Sequence, residues 1–124
     1  MRSVHSDHAP AAIGPYSQAV LCDGWLYCSG QIGVDPATGE FVPGGSTAEA
    51  RQALGNLAAV LAAAGSHLGN VVRTTIFLVD LNDFAEVNEV YAEVFGEHRP
   101  ARACVEVSAL PKGARVEIDC VARA

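Results

Sequence analysis

The sequence predicts one α+β domain over residues 1–124, in the order ββαβαββ, with a single sheet and two helices on one of its faces. Three observations carry that expectation. An Asp-Gly pair at 23–24 separates two β-rich runs. Two segments of helical period flank an apolar run at 71–79. Two alternating segments, 101–107 and 115–122, close the chain. A length of 124 residues, half of them apolar, suffices for one core.

The first strands lie in "AVLCDGWLYCSGQI", residues 19–32, folded back at Asp23-Gly24. "PATGEFVPGG", residues 36–45, reads as loop, and "STAE", residues 46–49, as a capping box in which Ser46 caps and Glu49 reaches back. Ala50, Ala53, Leu54, Leu57, Leu61 and Ala64 then recur at helical spacing, and Gly65 is placed to end the helix. Gly55 inside it costs about 1 kcal/mol relative to Ala, so close packing is expected there. In "VVRTTIFLV", residues 71–79, Ile76 and Leu78 point one way and Phe77 and Val79 the other. A second helix is expected over 83–95, capped by Asn82 or Asp83 and stopped by Gly96. Its apolar stripe is Phe84, Val87, Tyr91, Val94 and Phe95, and Asn88 interrupts that stripe.

The last two segments read as a hairpin closing near Leu110–Pro111. Either face-preserving register sets Arg102 opposite Glu117 or Asp119 and Cys104 near Glu117, because a slip of one residue mixes polar and apolar faces. Two right-handed crossovers put both helices on one face of the sheet. Strand 71–79, apolar on both sides, then lacks cover on the second. Another subunit is expected to supply it.

Composition narrows the function. Eight Lys+Arg against fourteen Asp+Glu give a net charge of −6, with a single lysine and no arginine run. That argues against a nucleic-acid partner, which requires clustered positive charge. No segment is long and apolar enough for a membrane partner. "MRSVHSDHAP" holds no export-signal pattern, so the expected location is cytoplasmic. Cys22, Cys28, Cys104 and Cys120 form no C-x-x-C pair, and His5, His8, His67 and His98 are dispersed, so no metal is expected. The cysteines read as small buried hydrophobes.

The polar faces point to a site. Arg102, Cys104, Glu117 and Asp119 would share one patch in the expected hairpin, either as solvated ion pairs worth about 0–1 kcal/mol each or as a cleft for a planar anion and a water. Asn88 on an apolar stripe must find partners. "APAAIGPYSQAV", residues 9–20, is a glycine-proline-shaped loop ending in Tyr16, suited to a binding lip or an aromatic plug. In "SGQI", residues 29–32, Ser29 and Gln31 share a face and Gly30 permits close backbone approach.

Together "APAAIGPYSQAV", "SGQI", "NDFAEVNEVY" and "PARACVEVSALPKGARVEID" resemble the RidA (YjgF) family of reactive-intermediate deaminases, in order and spacing, over nearly the whole chain. The resemblance implies a chorismate-mutase-like fold and a homotrimer with active sites in the clefts between subunits. It implies hydrolysis of 2-imino acids such as 2-iminopropanoate and 2-iminobutanoate, or their enamines, to 2-keto acids and ammonia, without cofactor or metal. On the matching positions, it implies that Arg102 grips the substrate carboxylate and Glu117 handles the attacking water. Tyr16, Ser29 and Gly30 would line the pocket, Cys104 would orient ligand or water through its main chain, and Phe84 and Asn88 would lie nearby. The chain departs from the pattern at Ala103, where many relatives carry Ser or Thr, at Asp119, which replaces a common Glu, and in a shorter link from Phe95 to Arg102. That last difference bears on the cleft lip and on substrate choice.

The chemistry suits those residue types. A guanidinium fork can hold a carboxylate with two hydrogen bonds, and a carboxylate base can deliver water to the carbon so oriented. Cys104 as nucleophile is the runner-up mechanism, but no histidine is placed to activate it. The competing function is a non-catalytic trimer that binds small carboxylates or another protein through the same clefts.

Overall fold

In the computed structural model, which describes residues 1–124, Asp23 and Gly24 both adopt left-handed backbone, with φ of 52° and 81°. Two consecutive positive φ values make the turn whose twist matches a β-hairpin. Strands β2 (Ala19–Cys22) and β3 (Trp25–Ile32) therefore pair from Ala19↔Cys28 to Cys22↔Trp25. Before them lies β1 (Arg2–Val4), which pairs with β2. After them come helix α1 (Gly45–Ala63), β4 (Val71–Leu78), helix α2 (Phe84–Phe95), β5 (Ala101–Glu106) and β6 (Val116–Arg123). The order is thus βββαβαββ. The added β1 is only three residues long, too short to carry a readable alternation.

The six strands form one mixed sheet in the order β1-β2-β3-β6-β4-β5. The expected hairpin of the last two segments does not form, because β4 lies between them. β5 follows β4 through the α2 crossover and pairs with it in parallel, Arg73↔Ala101 through Leu78↔Glu106. β6 inserts between β3 and β4, antiparallel to both. Burial explains the choice. Val116, Ile118, Cys120 and Ala122 of β6 are all at most 3% exposed, which suits a central strand, whereas β5 has no fully buried residue and takes the edge.

Both helices cover one face of the sheet, as expected. Leu54, Leu57 and Leu61 of α1 and Val87, Val90, Tyr91 and Phe95 of α2 pack on Leu26, Ile76, Leu78, Val116 and Ile118. Buried Cys28 and Cys120, opposite one another on β3 and β6, join that core. The other face has no helix. Trp25, Tyr27 and Val105 are exposed there, and Phe77 and Val79 are half-buried.

The helices correct two expectations, the capping box that opens α1 and the close packing at Gly55. Ser46 and Glu49 form no capping box; the Ser46 hydroxyl donates to Glu86 Oε1 at 2.7 Å, and Glu49 Oε1 accepts from the Arg115 amide at 2.9 Å. Both side chains tie α1 to its neighbours, and Gly44, not Ser46, occupies the cap position. Asp83 sits at the cap of α2 but makes no capping bond; Asp80 instead accepts from the Asn82 amide in the preceding turn. Gly65 and Gly96 do terminate their helices. In the first case the Gly65 and Ser66 amides bond back to Ala62 and Leu61. Finally, Gly55 is exposed and nothing lies within 4 Å of where its Cβ would be, so close packing does not explain it. Gly55→Ala is therefore expected to stabilise the fold by about 1 kcal/mol, read as a higher urea midpoint at unchanged slope.

Candidate active site

The side chains singled out by the sequence divide into two groups, one on each face of the sheet. Register decides which. Arg102 and Cys120 flank Thr74, whose hydroxyl meets the Tyr91 hydroxyl of α2 at 2.8 Å, so Arg102 projects on the helical face. Glu117 flanks Phe77, three residues on, and projects on the open face. The shared patch expected for Arg102, Cys104, Glu117 and Asp119 therefore does not exist within one chain. Its premise was the hairpin that β4 interrupts.

The first group is built on β5 and α2. Arg102 Nη1 donates to Asn88 Oδ1 at 2.8 Å, which supplies the partner that an Asn on an apolar stripe requires. The guanidinium carbon lies 4.8 Å from the Tyr91 ring centroid and 5.7 Å from that of Phe84. Stacking of this kind fixes the plane of the fork. Tyr91 is fixed in turn by its bond to Thr74, a side chain with no exposure. Cys104, two residues along β5, shares the face of Arg102 and is half-buried. Burial pushes its thiol pKa up, and the Arg102 charge only partly opposes that. A thiol so held is a poor nucleophile. The guanidinium opens on a cavity of about 450 Å³ that also includes Tyr91, Arg99 and Pro100.

The second group surrounds a cavity of about 530 Å³ lined by Ile13, Tyr16, Ser29, Gly30, Lys112 and Glu117 among others. Gly30 sits in an irregular stretch where the β3–β6 register shifts between Cys28 and Gln31. A Cβ on Gly30 would lie 2.7 Å from the Glu117 carboxyl carbon. Only glycine lets that carboxylate lie across the strand. Burial raises the Glu117 pKa above the ordinary carboxylate value, and the Asp119 charge on the same face raises it further. Ser29 ties β3 to the loop that carries Tyr16, its hydroxyl donating to the Ser17 carbonyl at 2.6 Å and its amide to the Gln18 carbonyl.

Four contributors escaped the sequence reading. Gln18 is buried and anchors the N-terminal loop, accepting from the Ser6 amide at 2.6 Å and donating to the Ser6 and Pro10 carbonyls. Thr74 and the Tyr91 hydroxyl were hidden in apolar runs, where a lone hydroxyl was the available signal. Lys112 is the only lysine and takes φ 58° in the turn between Pro111 and Gly113, a conformation unusual for a side-chain-bearing residue. Its signal was the Pro-Lys-Gly triplet.

Comparison with known proteins places the whole chain. A family model described as Endoribonuclease L-PSP matches residues 6–124. The chain is 55% identical to the 2-iminobutanoate/2-iminopropanoate deaminase of Capra hircus, over 98% of this chain and 88% of that protein. It is 54% identical to the Homo sapiens deaminase of the same name, with the same coverage. The crystal structure of Escherichia coli TdcF with bound serine superposes with a TM-score of 0.95 at 42% identity, covering 100% of this chain and 99% of the other. Sequence and fold agree over essentially the whole length, and the chain belongs to the RidA (YjgF) family.

Proposed function

We propose that the protein is a hydrolytic deaminase of 2-imino acids and their enamine tautomers, such as 2-iminopropanoate and 2-iminobutanoate, and that it works as a homotrimer with active sites between subunits. One observation carries this reading. The chain presents a guanidinium with no carboxylate partner on one face and a carboxylate of raised pKa on the other, each facing a cavity. Holding the substrate carboxylate and activating the water take one group from each face. A second copy would set Glu117 of one chain against Arg102 of the next. The uncovered apolar side chains Trp25, Tyr27, Phe77 and Val105 support such an assembly. The names of the goat and human relatives support the substrate class, and serine in TdcF is a small α-amino acid with the same carboxylate.

The reaction follows from the two halves. Arg102 takes the substrate carboxylate in its fork, with Asn88, Tyr91 and Phe84 holding the guanidinium plane. The C=N carbon is thereby aimed at the water beside Glu117. Glu117 accepts a proton as the water oxygen bonds to C2. The C=N electron pair moves to nitrogen, which takes the proton back from Glu117. The C2 hydroxyl then gives up its proton as C2=O forms and the C–N bond breaks, and the departing ammonia takes up that proton. Iminium plus water gives keto acid plus ammonium, with no covalent enzyme intermediate. Cys104 contributes main-chain groups at the edge strand. The four cysteines, none in a disulfide, suit the reducing cytoplasm.

Because Glu117 works ionised, kcat/KM is expected to fall as pH drops through its pKa, which lies above the ordinary carboxylate range. Asp119→Asn removes the neighbouring like charge, makes ionisation easier and should move that acid limb to lower pH. A pH–rate profile of both proteins checks the sign. RNA cleavage, the activity in the family model's description, has less support, since a net charge of −6 and scattered basic residues leave no stripe for phosphates. The activity itself is tested with imino acids generated in situ by an amino-acid oxidase, following loss of semicarbazone formation against time. Acceleration of hydrolysis is expected. A folded, trimeric protein that leaves the spontaneous rate unchanged would favour the alternative of a non-catalytic carboxylate-binding trimer.

A further inference from the structure

Arg99 and Arg102 line the same cavity of about 450 Å³, together with Asn88, Tyr91, Ala92 and Pro100. No carboxylate is among these residues. The three ion pairs of the chain are His5–Asp7, Arg51–Glu93 and Arg115–Glu49, so neither guanidinium is paired. Two unpaired positive charges at one cavity run against the net charge of −6. The mechanism above uses only Arg102.

Arg99 is also held in place. Its Nη1 donates to the Gly96 carbonyl and, at 3.0 Å, to the His98 carbonyl, at the C-terminal end of α2. Those bonds tether one nitrogen and leave Nη2 and Nε without a partner in the chain. The short link between Gly96 and β5 is what sets this second fork three residues ahead of the first.

We propose that Arg99 is a specificity-determining residue that extends the substrate range to 2-imino dicarboxylates. This inference rests on the deaminase reading. Arg102 takes the carboxylate next to the imine, and Arg99 takes the distal carboxylate at the end of the side chain. Hydrolysis is unchanged: water adds to C2, the C–N bond breaks, ammonia leaves, and the product is a 2-oxo dicarboxylate. The supplying reaction would be a two-electron oxidation of an acidic amino acid at its C–N bond.

The test compares binding and turnover in the intact oligomer. Calorimetry gives Kd for 2-oxoglutarate and 2-oxobutanoate as unreactive product-like probes, and coupled assays give kcat/KM for a dicarboxylic and a monocarboxylic imine. The wild type is expected to bind the dicarboxylate about tenfold more tightly, as for one added charge-assisted hydrogen-bonding pair. Arg99→Gln should abolish that preference and Arg99→Lys should keep part of it. Monocarboxylate turnover and light scattering on the same samples report whether the variants are folded. A wild-type ratio near one, or a ratio unmoved by Arg99→Gln, would overturn the proposal and leave Arg99 as a helix cap alone. An Arg99-dependent preference without turnover of either imine would support this site while refuting the deaminase reading. Monocarboxylate turnover without the preference would do the reverse.

Discussion

Arg102→Ala is expected to lower kcat/KM toward 2-iminobutanoate by roughly 10²–10⁴-fold, the equivalent of two charge-assisted hydrogen bonds of about 1.5–3 kcal/mol each. The loss should fall on kcat as well as KM, because the fork both binds the carboxylate and aims the reacting carbon. Arg102→Lys should recover little of it. An ammonium keeps the charge but cannot engage both carboxylate oxygens in a plane, nor present a planar group to the Tyr91 and Phe84 rings while bonding Asn88. Steady-state kinetics of the three proteins check this. Wild-type turnover by a folded Arg102→Ala oligomer would show that the carboxylate is bound elsewhere.

Glu117→Gln should cost about 10²–10⁴-fold in kcat, the usual contribution of a positioned acid–base group. The amide keeps the size that fits over Gly30 but cannot take the proton from water. Binding of an unreactive keto acid should therefore survive in this variant while imine hydrolysis slows, and the acid limb of the pH profile should vanish. Cys104→Ala is the companion measurement. Its thiol is held protonated by burial, so removing it should leave the rate near normal. Total loss in Cys104→Ala would instead assign the chemistry to the thiol.

The local structure was legible in the sequence because its signals are local. The Asp-Gly turn demanded two left-handed residues, Gly65 and Gly96 marked the helix ends, and the spacing of Leu54, Leu57 and Leu61 marked the buried face of α1. Strand pairing was not legible. Alternation in 101–107 and 115–122 is satisfied equally by a hairpin and by two strands separated by β4, and only the burial of Val116, Ile118 and Cys120 distinguishes them. The site followed the same division. Asn88 announced itself as a polar residue on an apolar stripe, and its partner proved to be Arg102. The relation between Arg102 and Glu117 depended on topology, and they lie on opposite faces of the sheet, not on one. The hydroxyl pair of Thr74 and Tyr91 is a contact between elements that no spacing rule reveals.

That separation makes the central claim testable by mixing two inactive proteins. Arg102→Ala and Glu117→Gln chains are unfolded together, refolded in equal amounts and assayed beside each variant refolded alone. If each site takes Arg102 from one chain and Glu117 from its neighbour, random assembly of a cyclic trimer gives both intact residues in about a quarter of the sites. Deaminase activity near a quarter of wild type is the predicted result. Activity in the mixture no higher than in either variant alone, with mixed trimers present by native mass spectrometry, would contradict a site shared between chains.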